Sequence, residues 1–169
     1  MRRRSVLLAV AVLAAGLLVA SLAGAAGVKK SFKANLGGYN EVPAVSSNGF
    51  GTLQAMIDDD AQTITYELSY GGLNSAALFA HIHLGQRDVN GGVSAFLCGG
   101  GDKPTCPAGT GAEETVSGVI DAADVIGPAG QGIAAGEFDE LVRAIRARVT
   151  YANVHSPTQP GGEIRDQLR

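Results

Sequence analysis

Three histidines stand in the 169-residue chain: His81, His83 and His155. Neutral imidazole is a ligand for zinc, copper, iron and nickel. His81-Ile82-His83 lies inside an apolar run, Leu78 to Leu84, that reads as a β-strand. Side chains alternate along a strand, so the two imidazoles share one face while Ala80, Ile82 and Leu84 share the other. His155 ends a second such run, on the face that also carries Val149, Tyr151 and Asn153. If the two strands are neighbours, three imidazoles converge. Three protein ligands with an open fourth position form a reactive or exchangeable metal site rather than a closed structural one. Copper or zinc is the cofactor such a site would take.

Glu163 is the carboxylate nearest in sequence to His155. It is a candidate fourth ligand, or an acceptor that fixes an imidazole tautomer. It could equally pair with Arg165, its neighbour on the same strand face. Asn153 and Arg165 are candidates for the same supporting tier. The alternative is structural: an HxH pair half-buried and satisfied by backbone carbonyls or carboxylates, with no metal. Protons compete for the ligand nitrogens, so a three-histidine site is expected to lose metal as pH falls through the imidazole range.

The elements that must position these residues are short and alternating. Phe32–Leu36, the run containing Leu53, Ala55 and Ile57, and Thr63–Tyr70 all show period two with β-branched and aromatic residues. Val93–Leu97, Glu114–Ile120, Val149–His155 and Glu163–Leu168 are further strand candidates. Asp58-Asp59-Asp60-Ala61 reads as a turn. Gly136–Ala147 departs from this pattern. Phe138, Leu141, Val142 and Ile145 fall at helical spacing, acidic residues stand in the first turn and arginines toward the end. Asp121–Ile126 reads as a short helical turn stopped by Gly127-Pro128. Many short strands with one or two helical connections predict an all-β fold, an antiparallel Greek-key-like β-sandwich.

Arg2, Arg3 and Arg4, an apolar run from Val6 to Leu22 and a small-residue site at Ala23-Gly24-Ala25 read as a secretory signal peptide over residues 1–25. The rival reading is an uncleaved membrane anchor, since the run is near bilayer length. Residues 26–169 then form one domain with no further membrane span. The chain carries a net charge of −3, and −6 once the three arginines leave with the signal. A mildly acidic exported domain has no electrostatic reason to seek nucleic acid or anionic lipid. The two cysteines, Cys98 and Cys106, enclose a Gly-rich stretch; in an oxidising compartment they are expected to form a disulfide.

Asn40-Glu41-Val42-Pro43, Ala80-His81-Ile82-His83-Leu84-Gly85, Asn90-Gly91-Gly92-Val93, Asn153-Val154-His155-Ser156 and Gly162-Glu163-Ile164-Arg165-Asp166-Gln167-Leu168 occur in this order. Together they resemble the CHRD domain family, named after chordin and found also in bacterial secreted single-domain proteins, over about Lys30 to Arg169. Ser156 and Asp166 depart from the family's frequent Thr and Gly without touching a proposed ligand. The resemblance implies an extracytoplasmic β-sandwich of immunoglobulin-like or superoxide-dismutase-like character, and through chordin an extracellular protein partner.

Three functions follow as expectations. The first is a non-catalytic structural or binding module that holds a transition metal. The second is a protein-interaction module without metal, using the loops 86–92 and 99–111. The third is a dismutase-like metalloenzyme, for which the histidines are too few to serve a second metal. Ser156 beside His155 is not a triad, because adjacent strand residues face opposite ways. Asp58-Asp59-Asp60 lacks the spaced oxygen ligands of a calcium loop.

Overall fold

A computed structural model describes residues 29–169. The expected signal peptide lies outside the described residues. Eight strands run in chain order: β1 (Lys30–Gly37), β2 (Phe50–Asp58), β3 (Thr63–Gly71), β4 (Phe79–Leu84), β5 (Gly92–Cys98), β6 (Glu114–Ile120), β7 (Thr150–Ser156) and β8 (Gln159–Gln167). One helix, α1 (Phe138–Arg146), and three short 3-10 turns connect them. Among the described residues no helix is long and apolar enough to cross a membrane.

The strands form a single antiparallel sheet in the order β5-β4-β7-β8-β1-β2-β3-β6. Its two edge strands, β5 and β6, come back into contact, so the sheet curls nearly into a barrel. The all-β antiparallel expectation therefore holds, with the hydrogen-bonded ladder running through one sheet instead of dividing into two. Curling is one way to manage exposed strand edges. At the seam the Tyr66 hydroxyl on β3 donates to the Leu97 carbonyl on β5 at 2.5 Å. The segment after β6 covers the rest of that edge: Ile126 N–H donates to the Ser94 carbonyl, and the Gln131 side chain accepts from Gly92 N–H.

Period two decides which residues fill the interior. Phe32, Ala34 and Leu36 alternate inward from β1, Leu53, Ala55 and Ile57 from β2, and Ile64, Tyr66 and Leu68 from β3. Ala80 and Ile82, Ala95 and Leu97, Ala152 and Val154, and Ile164 complete the same core. Phe138, Leu141, Val142 and Ile145 bring the apolar stripe of α1 into it. Arg146 ties the helix end to Asp59 in the β2–β3 turn through two hydrogen bonds of 2.8 and 2.6 Å. Cys98 and Cys106 are disulfide-bonded, closing the loop after β5.

β8 begins earlier than the sequence suggests. Pro160-Gly161-Gly162 weakens any strand signal, but β7 and β8 form a tight hairpin in which Ser156 opposes Gln159. The Leu53 side chain is fully buried where β1, β2 and β3 meet. Leu53→Ala is expected to lower the unfolding free energy by about 2–5 kcal/mol, read from a shifted denaturant midpoint.

Candidate metal centre

β4 and β7 are hydrogen-bonded neighbours, as convergence of the histidines requires. Their register sets Phe79 opposite His155, His81 opposite Asn153 and His83 opposite Tyr151. The core takes Ala80, Ile82, Ala152 and Val154, so all three imidazoles stand on the outer face. Ring centroids lie 5.3 Å apart for His81–His83, 4.9 Å for His81–His155 and 5.8 Å for His83–His155. One nitrogen from each ring lies within 4.8 Å of the other two.

Along β4–β5 the register shifts between Ala80 and His81 and again between Ile82 and His83. Such bulges bend a strand and re-aim side chains. They bring Phe96 against His81 with centroids 4.5 Å apart. Phe79 stacks on His81 at 5.9 Å, and Tyr151 stacks on His83 at 4.7 Å with an interplanar angle of 6°.

Although they face away from the core, His81 and His83 are only 7% and 6% exposed. Tyr151, Asn153, Arg165 and Glu41 around them are buried as well. Two backbone carbonyls set the ring orientations. His83 Nδ1 lies 3.0 Å from the Gly91 oxygen, and His155 Nδ1 lies 3.1 Å from the Pro160 oxygen. A carbonyl only accepts, so each Nδ1 carries the proton and each Nε2 keeps a free lone pair. Among the described residues, His81 Nδ1, His83 Nε2 and His155 Nε2 are buried with no hydrogen-bond partner. Each imidazole therefore presents one orphaned nitrogen. Orphaned buried polar atoms are uncommon in folded proteins, and an ion is one of their standard explanations. The donor set fits a transition metal.

Burial drives the basicity of all three rings down. His81 falls to about 3, by desolvation first and then repulsion from His155 and His83. His83 falls to about 4, by desolvation, partly offset by the Gly91 carbonyl. His155 is also lowered by burial. The rings are thus neutral and ligand-ready at pH 7.

Glu163 is not among these groups. Its fully buried carboxylate accepts from Ser47 Oγ and Asn74 N–H, each at 2.7 Å, and from Ser156 Oγ. It ties the β7–β8 hairpin to the segments before β2 and after β3 and does not pair with Arg165. Arg165 lies instead with its guanidinium carbon 3.8 Å from the Tyr151 ring centre, donating to Asn90 Oδ1 at 2.9 Å and the Val89 carbonyl at 3.1 Å. Asn153 donates to Glu41 Oε1 at 2.6 Å and to the Ile164 carbonyl at 3.0 Å.

Phe79 and Phe96 are ring neighbours that sequence spacing did not single out, and Glu41 joins the surroundings through Asn153. Glu41 lies 112 positions from Asn153, and only the closed fold joins them. Its carboxyl is pushed up to about 7 by burial, against the lowering effects of Asn153 and Arg165. Gly91 was legible only as part of a family motif. A Cβ there would sit 1.6 Å from the Leu84 carbonyl oxygen, so the chain passes too closely for any side chain.

The chain matches the CHRD domain over residues 32–168. It belongs to the CHRD domain family. No curated protein and no solved structure matches it. Within this CHRD domain the histidine cluster is built from two paired strands and held by two loop carbonyls.

Two outcomes follow. Gly91→Ala is expected to destabilise the domain by at least about 2 kcal/mol through backbone displacement, measured by denaturant unfolding. The second concerns pH in the metal-free protein. Well above about pH 6.5 the imidazoles are neutral in both folded and unfolded chains. As pH falls, unfolded imidazoles take up protons that His81 and His83 refuse until about 3 and 4, so stability drops through that window. The slope is at most about 1.4 kcal/mol per pH unit for each ring. Glu41 acts in the opposite sense: its stability contribution is full below about 4.5 and is lost as pH rises through about 7. Unfolding midpoints across pH should fall less steeply on acidification in His81→Phe, and in Glu41→Gln should lose the decline that Glu41 imposes between about pH 4.5 and 7.

Proposed function

We propose that this CHRD domain is an extracytoplasmic, non-catalytic binding module that holds one transition-metal ion through His81, His83 and His155. One observation carries the reading: three orphaned, buried ring nitrogens, one per histidine, in rings grouped so that one nitrogen from each lies within 4.8 Å of the other two. A purely structural histidine cluster has no reason to leave an unpartnered buried nitrogen on every ring, since each costs about 1–3 kcal/mol when desolvated without a partner. A metal ion would take all three at once, and the Gly91 and Pro160 carbonyls hold the His83 and His155 tautomers that expose them. Export is supported by the signal-peptide pattern of residues 1–25 and by the Cys98–Cys106 disulfide.

A metal-free interaction module is the second reading. Leu78 and Phe79 favour it, being adjacent, apolar, and 46% and 40% exposed beside the cluster. The loop 86–92 is less free for such a role, because Val89, Asn90 and Gly91 are engaged by Arg165, His83 and Tyr151.

His81→Phe separates these readings. Phe matches the ring's shape among Phe79 and Phe96 and removes the orphaned nitrogen, so the metal-free variant is expected to be at least as stable as the parent. Elemental analysis after exposure to copper and zinc and desalting should give near one metal per parent chain and background in the variant. Background in both would leave the histidines structural and turn attention to Leu78 and Phe79.

A further inference from the structure

A metal ion carries charge into its site, and the surroundings of these histidines decide how much charge the site tolerates. Residues 1–28 contain no Asp or Glu, so every side-chain carboxylate of the chain lies among the described residues. None of them joins the histidine group. Glu163 is held by Ser47, Asn74 and Ser156; Glu41 is hydrogen-bonded to Asn153 rather than to a histidine, and burial raises its carboxyl to about 7, toward the neutral acid.

The charge that does face the group is positive. β7 lies between β4 and β8 in the sheet. Tyr151 on β7 is therefore flanked by His83 from β4 and by the Arg165 guanidinium from β8, at 4.7 and 3.8 Å. One aromatic ring therefore separates the Arg165 charge from His83. The remaining ring neighbours are Phe79, Phe96 and Tyr151. His81 and His83 are 7% and 6% exposed, so bulk water approaches the group mainly at half-buried His155 and is largely kept from the other two rings.

The cost of burying an uncompensated ion rises with the square of its charge, so a dication costs about four times what a monocation does in the same low-dielectric place. Arg165 adds a repulsion that doubles with the ion's charge. Zinc also keeps a fourth ligand when three protein groups hold it. Monovalent copper is satisfied by three neutral nitrogens and leaves a single positive charge.

We infer that the His81–His83–His155 site selects Cu(I) over divalent zinc, an inference that rests on the reading of this cluster as a metal centre. The specificity comes from what surrounds the ligands: the lack of a neighbouring free carboxylate, the aromatic walls and the Arg165 charge behind Tyr151.

The test is a pair of competition titrations on the purified protein. One is anaerobic, with Cu(I) against a chromogenic Cu(I) chelator; the other uses Zn(II) against a zinc indicator dye. One Cu(I) per chain is expected, with a Kd about a hundredfold or more below that for Zn(II). A smaller ratio, or the reverse order, would overturn the selectivity and leave the metal centre standing. Absence of saturable one-per-chain binding by either ion would overturn both. In Arg165→Gln, shown by circular dichroism to be folded, the ratio is expected to narrow through tighter zinc binding. An unchanged ratio would overturn the role given to the Arg165 charge.

Discussion

The register of β4 against β7 is the constraint on which the rest of the molecule depends. It places Ala80 opposite Val154 and Ile82 opposite Ala152, all four fully buried in the core. Because side chains alternate with period two, a slip of β4 by one residue would send His81 and His83 inward, away from His155, and Ala80 and Ile82 outward. The core therefore fixes the register through burial of apolar surface, and the opposite face inherits its arrangement without separate specification. His81, His83 and His155 meet because the interior is apolar on the other side of the same two strands.

That outer face would ordinarily be wet. Here the segments carrying Glu41, Val89–Gly91 and Pro160 lie against it and make it a second buried layer, polar and aromatic where the first is aliphatic. Desolvation then controls its chemistry. It lowers the basicity of all three histidines, raises that of Glu41, and leaves ring nitrogens without partners. Those unpartnered nitrogens make this layer an energetic liability to the fold.

The charged side chains divide their tasks. Glu163 is spent on holding the β7–β8 hairpin to Ser47 and Asn74, a structural role. Arg165 is packed on Tyr151 and tied to the loop before β5, so its charge is fixed in place behind the ring that stacks on His83. Neither arrangement follows from the proximity of the two residues in sequence, which suggests an ion pair between them. Gly162, at φ 127°, brings Asn153 and Glu41 so near that a Cβ there would lie within 2.7 Å of both. The chain path at this point is thus set by the contact between two residues far apart in the sequence.

By itself the sequence determined the elements and the common face of His81 and His83. Alternation in Ile64-Thr65-Tyr66-Glu67-Leu68 marks β3, and the helical spacing of Phe138, Leu141, Val142 and Ile145 marks α1, because burial imposes a local period on local residues. Cys98 and Cys106 were pairable for the same reason of short range. Tertiary structure alone decided the rest. That the sheet is one curled ladder, that β4 lies beside β7, that Glu163 turns to Ser47 and not to the histidines, and that Glu41 reaches Asn153 all depend on contacts spanning many tens of residues. Strand periodicity says which way a side chain points but carries no information about which strand will be its neighbour. That choice is made by packing the whole core at once, and the chemistry of the imidazoles, through their burial, is set by the same choice.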